Sequence, residues 1–251
     1  RPPRSQSSRR HAEGVDSVNS AREMMLQMLE EVADALGAEL RRQVAFVGGC
    51  TTVLLITDEY TQESIRGTDD VDLVIHLTST AAWYRLEETL KIKGFKNTGQ
   101  DTVTCRLRLG ELKVDFMPTD EKVLGFSNTW FVGGLEHAID YALPNGTRIK
   151  VFAAPWFLAA KLQAYQGRGN GDVLMSNDIE DIIALLDGRE ELTAEVKQAP
   201  VDLRRFVSDQ LSALLKLTAF QDVIQSRAQD PDREALIYSR LAALIDAGAS
   251  V

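Results

Sequence analysis

Short apolar runs alternate with amphipathic stretches along the first half of the chain, and this alternation predicts a mixed α/β fold. Residues 44–47 form a continuous apolar run of the kind found in buried strands, and residues 112–117 are a further strand-like run that includes Asp115. Residues 70–77 alternate with a period of two, which predicts another strand with one polar face. Apolar positions at helical spacing predict helices over residues 18–40 and 80–93.

The pattern changes near residue 154, where helical spacing takes over for the rest of the chain. Before that point we expect a hairpin that turns at Gly110-Glu111 and a loop over residues 119–135 that contains Gly133-Gly134. A second hairpin is expected to turn at Pro144-Asn145-Gly146. The predicted segments are a disordered tail (1–16), a domain that combines a sheet with helices (17–153) and a helical C-terminal domain (154–251). The expected fold class is therefore α+β.

Composition narrows the classes of protein that fit. The chain has 251 residues, of which 44% are hydrophobic and 26% charged, as in ordinary globular proteins. A net charge of −9 argues against bulk DNA binding, and no apolar run is long enough for a membrane span. Cys50 and Cys105 are too few for a disulfide framework, so we expect reduced core residues and a cytoplasmic location. The arginine-rich start has no apolar signal-peptide core; it could contact RNA or simply be solvated.

Three aspartates stand on predicted strands, and their placement indicates a cation site. Asp70 and Asp72 lie two residues apart, so a strand puts both carboxylates on one face and Asp69 on the other. Asp115 lies between two large apolar residues, where a carboxylate is costly without a partner. Carboxylates on one face repel unless a cation lies between them, and Mg²⁺ prefers such oxygen ligands. The alternative is a strand end open to water, with solvated acids.

The pair Gly48-Gly49 follows the first predicted strand, and a helix is expected to begin near Thr51. Glycines let the backbone turn sharply and leave amide N–H groups uncovered, and such groups before a helix favour phosphate. The pair is equally compatible with a plain turn.

Taken together, these features resemble the polymerase-β-type nucleotidyltransferase superfamily. Its pattern is a Gly-Gly or Gly-Ser pair, a helix, an Asp-x-Asp strand and a third acid on a nearby strand. Gly48-Gly49, Asp70-Val71-Asp72 and Asp115 match that pattern, and here the third acid is expected on an antiparallel strand. Two features depart from it: Cys50 replaces the common Ser or Thr, and an insertion is expected within residues 57–66.

More narrowly, the chain is similar to the AbiEii/MenT-type toxin nucleotidyltransferases and their uncharacterised relatives. Those proteins add a helical part with a lysine, then an arginine and an Asp-x-x-Asp helix. The matching positions are Lys161, Arg168, and Asp178 with Asp181. This resemblance covers residues 44–187.

The resemblance implies a nucleotidyltransferase-type mixed sheet and a reaction that moves an NMP from an NTP, such as ATP, to an acceptor hydroxyl. Asp70, Asp72 and Asp115 would hold Mg²⁺ or Mn²⁺, and Asp115 would help to deprotonate the acceptor. The implied nucleotide-binding residues are Gly48, Gly49, Thr51, Arg66, Lys161, Arg168 and Asp178. From the residues alone, Lys161 could instead be a surface lysine whose stem packs on apolar neighbours, and Asp181 is expected to be structural.

Three hypotheses about function stay open at this point. The first is a toxin-like enzyme that acts on tRNA or protein and has an antitoxin protein as partner. The second is a nucleotidyltransferase for small molecules of the aminoglycoside type, which the acidic composition fits because such substrates are cations. The third is a non-catalytic NTP-binding protein of the same fold, and the intact acids at all three positions count against it.

Overall fold

The computed structural model describes residues 7–99, 101, 103–167 and 172–249, and for residues 7–20 it describes the backbone only. Within these ranges the protein is α+β, with twelve α-helices and one seven-stranded mixed sheet. None of the helices in the described ranges combines the length and the apolar character that a membrane span requires.

The sheet brings together strands that are far apart in the chain. Its strands are β1 (Val44–Val47), β2 (Asp70–Ile75), β3 (Phe95–Lys96), β4 (Arg106–Leu109), β5 (Leu112–Pro118), β6 (Ile139–Ala142) and β7 (Arg148–Val151). Their spatial order is β3-β4-β5-β2-β1-β7-β6. The hairpins β4–β5 and β6–β7 confirm the two predicted turns.

The pairing of β5 corrects one expectation. This strand is antiparallel to β4, as the hairpin predicts, but it runs parallel to β2, and Asp72 lies directly opposite Asp115. The connection between β2 and β5 contains a helix and the strands β3 and β4, and it is long enough to return the chain to the same end of the sheet. The strand of the third acid is therefore not antiparallel to the strand of the Asp-x-Asp pair.

Helices flank the sheet and make up the C-terminal half. They are α1 (Ser7–Arg41), α2 (Thr52–Leu55), α3 (Glu59–Gln62), α4 (Thr80–Ile92), α5 (Glu121–Leu124), α6 (Phe131–Glu136), α7 (Ala154–Gly167), α8 (Asn177–Gly188), α9 (Leu192–Gln198), α10 (Val201–Leu215), α11 (Thr218–Ala228) and α12 (Pro231–Ala249). The helix predicted over residues 18–40 is part of α1, whose backbone begins at Ser7, inside the segment predicted to be a disordered tail. The first six residues of that predicted tail lie outside the described residues.

The segment predicted as a loop over residues 119–135 contains the helices α5 and α6. Gly133 and Gly134 suggested a loop, yet both lie inside α6. A Cβ atom on Gly133 would lie 2.1 Å from the Trp156 ring, and one on Gly134 would lie 2.2 Å from the Phe152 ring. The glycines are therefore sites of close packing against residues distant in the chain, which a local pattern does not reveal.

The C-terminal helices are positioned by a buried face of α7. Trp156, Phe157, Leu158 and Leu162 all lie in the core. Helix α8 packs against α7, α2 and α3, so its first turn faces the end of the sheet that carries the aspartates. Cys50 and Cys105 are buried and unbridged, as predicted.

Candidate metal centre and adjoining cleft

Three carboxylates converge where β2 and β5 run side by side. Asp70 and Asp72 stand on one face of β2, and Asp115 lies beside Asp72 on β5. One oxygen from each of the three side chains lies within 4.8 Å of the others. Asp69 is excluded from this cluster, because its exposed carboxylate accepts a hydrogen bond from Lys113 at 2.6 Å. The structure therefore brings Asp70 and Asp72, and not Asp69, into this cluster. The three aspartates are called the acid triad below.

Arg106 on β4 neutralises part of the acid triad. Its guanidinium donates to the two oxygens of Asp115 at 2.7 and 2.8 Å and to Asp70 at 3.4 Å. These hydrogen bonds, above all those to Asp115, raise the pKa of Arg106 above its ordinary value, although burial opposes the shift. Thr68 adds a hydrogen bond of 2.5 Å to Asp70.

Arg106 is a residue that the sequence reasoning missed, although a signal for it exists. A hairpin that turns at Gly110-Glu111 sets its register by the turn, and that register places Arg106 opposite Asp115. Directly opposite residues of unlike charge on one face are close enough to pair. Counting back from the turn would therefore have found this contact.

Gly48 makes room for the acid triad. Its φ of 79° lies in the region that favours glycine, and a Cβ atom there would lie 1.8 Å from a carboxylate oxygen of Asp72. Gly49 lies on the wall of the cleft beside Arg66. Gly48 is therefore a site of close approach to Asp72 as well as of a turn, since its carbonyl accepts a hydrogen bond from the Thr51 N–H.

Thr51 does not reach the cleft. Its side chain is fully buried, and its hydroxyl donates to the carbonyl of Gly48 at 2.9 Å. The helical turns that follow Gly48 are short, since a three-residue 3₁₀ turn (Gly49–Thr51) leads into the four residues of α2. The structure therefore does not bring Thr51 to the cleft with the other predicted nucleotide-binding residues, and its hydroxyl makes a local hydrogen bond instead.

Lys161 on α7 lies across the cleft from the acid triad. Its ammonium is 2.7 Å from Asp181 and 3.2 Å from Asp178, and the residue is only 9% exposed. Burial alone would lower the pKa of Lys161, but Asp181 and Asp178 outweigh it and hold the pKa above its ordinary value. The surface-lysine interpretation is therefore excluded, and the side chain stays charged.

Arg66 extends the same network from the loop before β2. Its guanidinium lies 3.2 Å from Glu180 and 3.5 Å from Asp181. Asp181 therefore forms ion pairs with both Lys161 and Arg66, in agreement with the structural role expected for it. Arg168, the remaining predicted phosphate contact, lies outside the described residues.

A cleft of about 1150 Å³ lies between the strands that carry the acid triad and the helices α7 and α8, which carry Lys161 and Asp178. Its described lining includes the acid triad, Gly49, Arg66, Arg106, Lys161 and Asp178, and at its rim Met24, Val103 and Phe126. Five carboxylates and three cationic side chains line it, because Asp69 also reaches its edge. A cleft with this balance can hold a divalent cation, and together with that cation an anionic ligand.

No protein-family model matches this chain, and no curated protein is significantly similar to it. The resemblance to nucleotidyltransferases therefore depends on the motifs of the chain and on the geometry described above.

Proposed function

We propose that the chain is a divalent-metal-dependent nucleotidyltransferase of the polymerase-β type, which moves an NMP from an NTP to an acceptor hydroxyl and releases pyrophosphate. The observation that carries the proposal is the convergence of Asp70, Asp72 and Asp115 on one wall of a cleft whose other wall holds Lys161. The order of strand, Gly-Gly pair, short helix and Asp-x-Asp strand supports the nucleotidyltransferase type of fold within the broader α+β class.

The donor set of the acid triad fits Mg²⁺ or Mn²⁺. Three carboxylate oxygens within 4.8 Å of one another are hard ligands of the kind these ions take. Such a cluster is electrostatically costly without a cation, and among the described lining residues carboxylates outnumber cations. When bound, the ion supplies Lewis-acid stabilisation of the charge on the phosphate oxygens.

The chain's own groups would hold and orient the nucleotide. Lys161 and Arg66 line the cleft, and once a divalent ion offsets the carboxylates their positive charge would face the phosphates. Asp178 contacts the Lys161 ammonium and keeps it at the cleft wall, so we assign it a positioning role. Gly49 presents backbone without a side chain, which allows close approach of a ligand.

A proton must leave the acceptor hydroxyl during the transfer, and Asp115 is the candidate to receive it. Both oxygens of Asp115 accept hydrogen bonds from Arg106. Each carboxylate oxygen keeps a second lone pair, so Asp115 can take the proton while Arg106 stays hydrogen-bonded to it.

The test is to incubate the purified full chain with each α-³²P-labelled NTP and Mg²⁺, in the presence of total RNA, a protein extract or a panel of amino-hydroxyl small molecules. We expect label to move into one of these acceptors with the wild type and not with Asp72→Asn. Asp69→Asn is the matched control, because it removes the adjacent, exposed acid of the doublet and should keep the activity.

The acceptor that becomes labelled distinguishes the hypotheses. Label in RNA or protein supports the toxin-like enzyme, and label in a small molecule supports the aminoglycoside type. If no acceptor is labelled but an NTP binds in a Mg²⁺-dependent manner, the non-catalytic NTP-binding hypothesis stands. Equal transfer by the wild type and Asp72→Asn would refute the assignment of the acid triad.

A further inference from the structure

Residues 125–128 span the two walls of the cleft. The Ser127 hydroxyl donates to the carbonyl of Thr119, which directly follows β5, at 3.0 Å. The side-chain amide of Asn128 donates to the carbonyl of Ala160 on α7, also at 3.0 Å. These contacts hold the segment between the wall that carries the acid triad and the wall that carries the buried lysine.

Phe126 lies within this segment and presents an apolar ring to the cleft lining. It lines the cleft and is 37% exposed. Gly125, the residue before it, ends α5 in the left-handed region at φ 83°, and its N–H donates to the carbonyl of Glu121 at 2.6 Å. The backbone is therefore fixed on both sides of Phe126, so the exposed side chain stands on an ordered support.

The two phenylalanines among the described lining residues differ in their surroundings. Phe131 is 6% exposed and packs edge-on against Phe152 with ring centroids 6.3 Å apart, so it belongs to the core. Within the described ranges, Phe126 has no aromatic partner and lies outside the hydrophobic core. A single exposed apolar residue is common on protein surfaces, but this one stands in a cleft that is otherwise rich in charge.

The position of Phe126 fits the base of a nucleotide whose phosphates lie at the acid triad. Pro118 follows Asp115 by three residues along β5, which is about 10 Å at the rise of a strand. The Ser127 hydroxyl lies within hydrogen-bond distance of the Pro118 carbonyl, so the segment begins at that distance from the acid triad. This separation is comparable with the length of a nucleoside monophosphate, and a base has a flat face that stacks favourably on an aromatic ring.

We propose that Phe126 is the platform on which the base of the bound NTP stacks, an inference that rests on the proposed function. Every base has such a face, so stacking tolerates all four of them. Phe126 is therefore a specificity-determining residue that selects nucleotides over inorganic polyphosphate, which has the same charged groups but no base.

The test compares two probes by calorimetry on the full chain in Mg²⁺. One is the α,β-methylene analogue of each common NTP, which cannot transfer its NMP, and the other is inorganic tripolyphosphate. Phe126→Ala should bind the analogues about tenfold more weakly than the wild type and tripolyphosphate equally well. Phe126→Tyr keeps the ring and should bind both probes as the wild type does. Tyr84→Ala is the matched control, because Tyr84 is an exposed aromatic residue on α4 that does not line the cleft.

Four results would each overturn the proposal: equal binding of the analogues by wild type and Phe126→Ala, an equal loss of both probes in Phe126→Ala, the same loss in Phe126→Tyr, or no binding of any analogue by the wild type. The proposed reaction is tested separately by transfer of label. Transfer that persists without any dependence of binding on Phe126 would refute the platform alone. Binding that depends on Phe126 without transfer to any acceptor would refute the reaction and leave the platform standing.

Discussion

Replacing Arg106 by glutamine should have opposite effects on metal affinity and on the stability of the metal-free protein. In the wild type the guanidinium holds Asp115 through two hydrogen bonds and reaches Asp70 as well. An ion bound by the acid triad competes with Arg106 for these oxygens. Arg106→Gln removes the competitor, and it also removes the cation that makes the close carboxylates tolerable without metal.

The geometry sets the expected magnitudes. A hydrogen bond to a charged group contributes about 1.5–3 kcal/mol, so removing one competing bond should tighten metal binding by roughly tenfold or more. Breaking a buried ion pair costs about 3–5 kcal/mol. The Arg106 side chain is 17% exposed and that of Asp70 29%, so solvent screens part of that cost. We therefore expect the free energy of unfolding in chelator to fall by about 2 kcal/mol.

Electron paramagnetic resonance of free Mn²⁺ measures the affinity of the protein for Mn²⁺. Thermal unfolding in EDTA measures the stability of the metal-free protein. Arg108→Gln is the matched control, because Arg108 lies two residues along the same strand and binds Asp101 at 2.8 and 2.9 Å instead of the acid triad. Unchanged or weaker Mn²⁺ binding by Arg106→Gln, together with a stability in EDTA equal to that of Arg108→Gln, would refute the idea that Arg106 and the metal ion compete for the acid triad.

Two further predictions concern single positions. Gly48→Ala should abolish Mn²⁺ binding, because its Cβ atom would lie 1.8 Å from Asp72; Gly110→Ala, also at positive φ but with open space around it, should keep the binding. The hydrogen bond from Arg108, more than any other interaction, lowers the pKa of Asp101 to about 2. The ion pair of Arg108 with Asp101 should therefore stabilise the protein above the ordinary carboxyl pKa, and this contribution should be lost as the pH falls through about 2. Arg108→Gln should raise the NMR titration midpoint of Asp101.

Features that depend on neighbouring residues in the chain could be predicted from the sequence. The period of two along β2 was enough to put Asp70 and Asp72 on one face, since alternation is a property of any extended strand. The turn signals around residues 110 and 145 likewise predicted both hairpins, because tight turns draw on few residue types.

Features that arise from contacts between distant segments could not be predicted in this way. The parallel pairing of β2 with β5 depends on how a long connection folds back, and the local pattern of either strand does not encode it. The burial of Lys161 between Asp178 and Asp181 depends in the same way on the packing of α7 against α8. A helical wheel of α7 alone gives no reason to expect it.

The ion pairs of the cleft determine how an anionic substrate can enter it. Arg106 is engaged with the acid triad, Lys161 with two aspartates, and Arg66 with Asp181 and Glu180. Each cation that lines the described cleft therefore already has an acidic partner, and carboxylates outnumber cations. A polyanionic triphosphate gains little from such a surface, because the positive potential is largely cancelled at close range. Under the proposed function, a divalent ion on the acid triad would reverse the local balance and free Arg106 to face the phosphates, so we expect nucleotide binding to follow or accompany metal binding.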